Sequence, residues 1–164
     1  GGESGWIIEN DTVITTATYA GDNKYNQMVR GFVSFDISEL ADRTVGEARL
    51  SMNSKIFGNP SAMGDLAIGS AYWGARPLTV EDYNKGSRRG IGWPKTYNFT
   101  ITSKRDSENA KDKYLVEELQ RCIDEGSNRF QIRFQFSKKE SNNNNSPDGV
   151  QYEFKDISLY IEYK

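Results

Sequence analysis

The feature that most constrains this chain is the run Arg129-Phe130-Gln131-Ile132-Arg133-Phe134-Gln135-Phe136, in which polar and apolar residues alternate without a fault for eight positions. Successive side chains on a β-strand point to opposite faces. Phe130, Ile132, Phe134 and Phe136 therefore share one face, and Arg129, Gln131, Arg133 and Gln135 share the other. The apolar set demands a core to cover it. The polar set carries more than a solvated face requires, because arginines and amides are the groups that recognise carboxylates and hydroxyls.

Similar short segments recur along the chain. Thr12 to Thr18, Val29 to Asp36, Glu47 to Asn53, Val150 to Phe154 and Ile157 to Tyr163 alternate between turn-rich stretches, and Leu66 to Trp73 is apolar throughout, as in a strand covered on both sides. Many short strands without the spacing of β-α-β units predict an all-β protein, a sandwich or barrel of antiparallel sheets. One segment differs. From Asp112 to Glu125 the residues Leu115, Val116, Leu119, Cys122 and Ile123 fall at helical spacing, with Gly126 where a helix would stop. The stretch Leu78 to Asp106 reads mainly as loop, with one short strand at Tyr97 to Thr102. A length of 164 residues fits one domain over residues 1–164, with residues 1–5 read as linker.

Composition excludes several functions. The chain has no histidine, which removes the usual general base near neutral pH and the commonest zinc and copper ligand. Its one cysteine, Cys122, forms no internal disulfide and belongs to the apolar stripe of the expected helix. A formal charge of −2 gives no overall field for nucleic acid, and no apolar run suits membrane insertion. Anion recognition has to be local.

Arg30-Gly31-Phe32-Val33-Ser34-Phe35-Asp36-Ile37-Ser38 followed by Val45-Gly46-Glu47-Ala48-Arg49-Leu50 resembles the R-F-D-L-S … V-x-x-A-x-L core of the disaggregatase-related repeat, or DNRLRE-type domain. Gly21 to Asn26 is similar to that family's Asn/Tyr/Gly-rich loop. Tyr114 to Gly126 with Asn128 to Phe134 is similar to its helix and N-x-G-F-x-L-R strand, and Ile157 to Tyr163 to its closing strand. The chain departs from the pattern at Leu78 to Tyr83, where a tryptophan-bearing segment is usual, and lacks the usual proline before the last strand. The resemblance implies a jelly-roll β-sandwich on large secreted or cell-surface proteins of archaea and bacteria, often beside polysaccharide lyases or hydrolases. It implies binding of uronic-acid polymers such as alginate or methanochondroitin-like envelopes rather than catalysis.

The candidate ligand residues follow from both lines. If the strands of Arg49 and Arg133 lie in one sheet, Arg49, Asn53, Arg133 and Gln135 line one surface, joined by Arg30. A planar guanidinium matches a carboxylate bidentately; the competing reading is a solvated face with charge pairs to Glu47 and Glu162. The loop before Arg30 adds Lys24, Asn26 and Gln27, a cation and two amides beside the Tyr25 ring, and taken bare it is a polar turn. Trp73, Trp93 and Tyr97 are candidate stacking rings, although buried edge aromatics are commoner. No cofactor is expected: Asn10, Asp11 and Asp148 offer hard oxygens that a structural calcium ion could use, but without the ligand spacing of a dedicated motif, so the reading without calcium is favoured. The expected function is a noncatalytic carbohydrate-binding module for an acidic polysaccharide, extracellular or at the cell surface and joined to other domains of its parent chain. The alternative is a structural or adhesion repeat without a ligand site.

Overall fold

The computed structural model describes residues 2–8, 13–14 and 17–164. Its strands are β1 (Gly2–Ile8), β2 (Val13–Ile14), β3 (Thr18–Asp22), β4 (Met28–Asp36), β5 (Val45–Met52), β6 (Lys55–Phe57), β7 (Leu66–Ala71), β8 (Arg89–Gly92), β9 (Phe99–Lys104), β10 (Arg129–Phe136), β11 (Gly149–Tyr152) and β12 (Ile157–Tyr163), with one helix, α1 (Tyr114–Asp124). The protein is an all-β sandwich of two antiparallel sheets. The larger has nine strands, running β6-β11-β3-β4-β10-β7-β8 with β1 and β2 attached at β4, and the smaller has three, β12-β5-β9.

Strand β10 covers the expected span without a shift, held between β4 and β7. Register puts Phe130 opposite Phe35, Ile132 opposite Val33 and Phe134 opposite Gly31, so the four apolar residues of β10 enter one core with both neighbours. That core also takes Leu50, Ala48 and Met52 from the small sheet and Leu115, Val116, Leu119, Cys122 and Ile123 from α1. The helix is fastened by polar contacts as well as by its stripe. The Ser103 hydroxyl accepts from the Val116 N–H at 3.0 Å, and Ser70 of β7 donates to buried Glu118 at 2.6 Å. Gly126 ends it at φ +78°, the left-handed conformation that favours glycine, with the Ser127 N–H returning to the Cys122 carbonyl at 2.9 Å.

Four expectations are corrected. Residues 2–5, read as linker, lie in β1 alongside Phe32–Phe35 of β4. The single strand expected over Thr12 to Thr18 is instead the two-residue β2 and the start of β3, with Thr12, Thr15 and Thr16 outside the described residues. Strands β6 and β8 were hidden because three or four residues carry too little alternation to be seen. The polar side of β10 is also not a solvated face. Residues 73–85 cross over it, and Trp73 and Tyr83 pack with Phe32, Ala71 and Ile7 in a second small apolar cluster outside the sheet. Phe32 meets Trp73 edge-on, with centroids 5.7 Å apart.

That strap is locked by charge. Asp82, at 1% side-chain exposure, takes both terminal nitrogens of Arg76 at 2.7 and 2.9 Å and the Thr79 N–H at 2.8 Å. Thr79 and Asp82 form a capping box on the short 3-10 turn Val80–Asn84. No helix among the described residues is long and apolar enough to cross a membrane.

Gly31 has no room for a side chain, since a Cβ there would lie 2.4 Å from the Phe134 ring and 2.5 Å from the Thr18 hydroxyl. Gly31→Ala is expected to cost about 1–3 kcal/mol through overpacking and Phe134→Ala about 3–5 kcal/mol, both read from denaturant midpoints. Burial pushes the Cys122 thiol up to about 11. Thiol reagents at mildly alkaline pH should therefore label it only as fast as the protein unfolds.

Candidate functional site

The outer face of β4, β10, β7 and β8 carries the site. Register places Arg133 opposite Phe32 on one side and Gly69 on the other, Gln135 opposite Ala67, and Gly69 opposite Gly90. Two glycines facing each other across β7 and β8 leave the sheet bare. Into that space come Ser87, whose Cβ would stand 2.5 Å from a Cβ on Gly69, and the indole of Trp93, 2.5 Å from a Cβ on Gly90. The result is a groove of about 580 Å³ whose lining includes Arg30, Gly69, Ser87, Trp93, Arg133 and Gln135.

Arg133 is the central group. It is 8% exposed, its Nη1 donates to the Lys85 carbonyl at 2.7 Å, and its Nη2 donates to the Gln135 side-chain oxygen. Two of its five N–H donors are thus used, and no carboxylate lies within ion-pair distance among the described residues. Burial lowers its pKa from the ordinary arginine value, and the neighbouring charge of Arg30 lowers it further, with Glu140 acting in the opposite sense. Arginine remains protonated through such a shift. Arg133 is a buried cation with donors left over.

Arg30 sits beside it but is already engaged. Its Nε and Nη2 grip the two oxygens of Glu140 at 2.8 and 3.1 Å, its Nη1 donates to the Tyr83 carbonyl at 2.8 Å, and its guanidinium lies over the Tyr83 ring at 4.1 Å. Arg30 therefore supports the groove wall, and Glu140 halves the positive charge that the two arginines would present. Trp93, 46% exposed, gives the rim an aromatic ring, with the Lys111 ammonium 5.8 Å from its centroid. A cation with unused donors, an amide and an exposed ring in one groove suit a planar ligand bearing a carboxylate or hydroxyls.

Three of the eight residues expected at the site, Arg30, Arg133 and Gln135, come together in the groove. The others do not. Arg49 is corrected, because β5 pairs with β12 and β9 in the smaller sheet, whereas Arg133 lies on β10 in the larger. On β5, Arg49 stacks on Tyr160 of the neighbouring strand at 4.1 Å and meets Glu47, two residues earlier on its own strand, at 3.3 Å, a surface arrangement. Asn53 follows β5 on that same side, exposed, with its N–H on the Asp156 carbonyl at 3.0 Å. Lys24, Asn26 and Gln27 form the turn between β3 and β4. Asn26 exchanges two hydrogen bonds with Asn145 at 2.7 and 2.9 Å, the Gln27 side-chain oxygen accepts from Asn23 at 2.8 Å, and exposed Lys24 lies over Tyr25 at 5.0 Å. None of the three lines the groove.

Of the candidate rings, Trp73 and Tyr97 are packing residues, the first in the outer cluster and the second against Phe136. Trp93 alone among them borders the groove. Asp148 is buried, and its Oδ1 accepts the Asn59 N–H at 2.7 Å, while Asn10 and Asp11 lie outside the described residues. No group of three or more His, Cys, Asp or Glu side chains placed to hold a metal ion occurs among the described residues. Gly69, Ser87 and Gly90 were missed in the sequence. The only signal for the glycines was their spacing inside segments otherwise read as strand or loop.

Compared with known protein families and with curated proteins, the chain matches no family model and no curated protein. Its likeness to the disaggregatase-related repeat rests on the motifs quoted above. What fold and site define together is an all-β sandwich with a cationic, aromatic-rimmed groove on its larger sheet.

The strap over this face should be acid-sensitive. Burial works to raise the pKa of Asp82, but the hydrogen bonds from Arg76 and Thr79 and the charges of Arg76 and Lys85 outweigh it and hold the carboxyl below the usual range. A folded pKa below the unfolded one, about 3.9, gives stability that is present above that value and lost as pH falls through the folded pKa. Asp82→Asn should cost about 1–3 kcal/mol at neutral pH, and the gap from the parent protein should close at strongly acid pH in urea titrations.

Proposed function

We propose that this domain is a noncatalytic carbohydrate-binding module that holds an acidic, uronic-acid-containing polysaccharide against the outer face of its larger sheet. The observation that carries the reading is Arg133, a buried guanidinium with unused donors and no carboxylate partner among the described residues, facing an open groove. In such a setting a sugar carboxylate gains charge-assisted hydrogen bonds with little competition from water. The Trp93 ring supplies a face on which a pyranose can stack. The groove lining contains no acidic side chain, which favours binding over the paired-carboxylate chemistry of glycoside cleavage. The resemblance to the disaggregatase-related repeat points the same way, and with it an extracellular or cell-surface setting beside other domains of a parent chain.

A second reading, a structural or adhesion repeat, is favoured by Arg30. Its guanidinium is occupied by Glu140 and Tyr83 and serves the fold. Calorimetric titration separates the two. Polyuronate oligomers should bind more tightly than neutral glucans, Arg133→Ala should weaken polyuronate binding by about 1–3 kcal/mol, less at high salt, and any binding of a neutral glucan should be indifferent to that substitution. Arg49→Ala should leave affinity unchanged. Equal binding of neutral glucans, or none by any acidic polymer, would contradict the proposal.

A further inference from the structure

A second recess lies on the same outer face, at the opposite end of β10 from the groove. Its lining includes Ser34, Asp36, Ser38, Gly74, Asn128 and Arg129, and its volume is about 300 Å³. Sites for small ligands begin at about that size. Arg129 and Arg133 are four residues apart on one strand, roughly 13 Å. Between them Gln131 is buried beneath the strap, donating to the Gly74 carbonyl at 2.8 Å and accepting the Trp73 N–H at 2.8 Å. The two cavities are thus separate.

The register of β4 and β10 sets Arg129 directly opposite Asp36. Opposite charges so placed on neighbouring strands ordinarily pair. Here they do not. The Arg129 Nε donates instead to the Ser34 hydroxyl at 2.9 Å, and Asp36 Oδ1 accepts the Ser38 N–H at 2.9 Å. Arg129's two terminal nitrogens meet no acceptor among the described residues. Ser34 is used twice as an acceptor, from Arg129 Nε and from Gln131 Nε2 at 3.0 Å, which fills both lone pairs and leaves its own proton without a partner among the described residues. Arg76, on the far wall, is tied to Asp82 and the Pro77 carbonyl.

Among the described residues the recess therefore offers donors from Arg129 and Ser34 and an acceptor from Asp36, one unpaired charge of each sign. A carboxylate ligand would meet Asp36, which the Ser38 backbone and side-chain hydrogen bonds hold ionised by lowering its pKa. A hydroxyl fits both sides, because it accepts from a guanidinium and donates to a carboxylate at once. We propose that this recess binds adjacent hydroxyls of a neutral sugar ring, between Arg129 and Asp36, as a site distinct from the groove of Arg133.

The test is an amide-resolved NMR titration of the whole chain carrying Arg133→Ala, so that the result does not depend on the groove. The probes are methyl mannopyranoside, its 2-deoxy analogue and glucuronate. The proposal expects saturable shifts at Asp36, Ser38, Gly74 and Arg129 with the mannoside, and affinity lower by roughly tenfold for the deoxy sugar. Asp36→Asn, which keeps the shape, and Arg129→Lys should each weaken mannoside binding while the remaining spectrum is unchanged. Absence of shifts at these amides, an unaltered affinity in Asp36→Asn, or tighter binding of glucuronate at the same amides would each overturn it.

Discussion

The outer face of the larger sheet depends on β10 being held on both edges with its phenylalanines facing inward. Phe130, Ile132, Phe134 and Phe136 are locked by register to Phe35, Val33 and Gly31 on one side and to Ser70, Ile68 and Leu66 on the other. A slip of one residue would carry all four into the strap and turn Arg129 and Arg133 into the core, so the alternatives are separated by a large burial term. Both cavities on the outer face inherit their positions from that register. The arginines stand where they do because the phenylalanines leave no other choice.

The strap turns this polar face from a solvated surface into two recesses. Trp73 and Tyr83 cover Phe32, the Arg76–Asp82 pair fixes the segment's path, and the carbonyls of Lys85 and Gly74 take donors from Arg133 and Gln131. Each arginine near the sheet has a different fate. Arg30 is used up by Glu140 and Tyr83, Arg133 keeps donors facing the groove, and Arg129 gives its Nε to Ser34 rather than to the carboxylate opposite it. On this face the positive charge of a protein of formal charge −2 is thus held locally, by partners that differ from one arginine to the next.

Much of the architecture was legible in the sequence. The eight-residue alternation marked β10 to the residue, and the stripe of Leu115, Leu119 and Cys122 with its terminal glycine marked α1. Partition between sheets was not legible. Alternation states which side chains share a face of one strand and says nothing of which strands share a sheet, so Arg49 and Arg133 read as neighbours although they belong to opposite layers. Nor was the close approach of Ser87 and Trp93, because it depends on Gly69 and Gly90 meeting across β7 and β8 from positions 21 residues apart. Short polar turns such as Asn23 to Gln27 resemble binding loops in composition, yet their amides are taken within the turn itself and by Asn145 of a neighbouring loop.

The central claim is that the face bearing Arg133, and not the face bearing Arg49, meets the ligand. Mapping a uronate oligosaccharide onto the backbone amides by NMR tests it most directly. Perturbations centred on Ala67, Gly69, Gly90, Trp93 and Arg133 are predicted. Perturbations centred on Arg49, Ser51 and Tyr160, or none at saturating oligosaccharide, would contradict it.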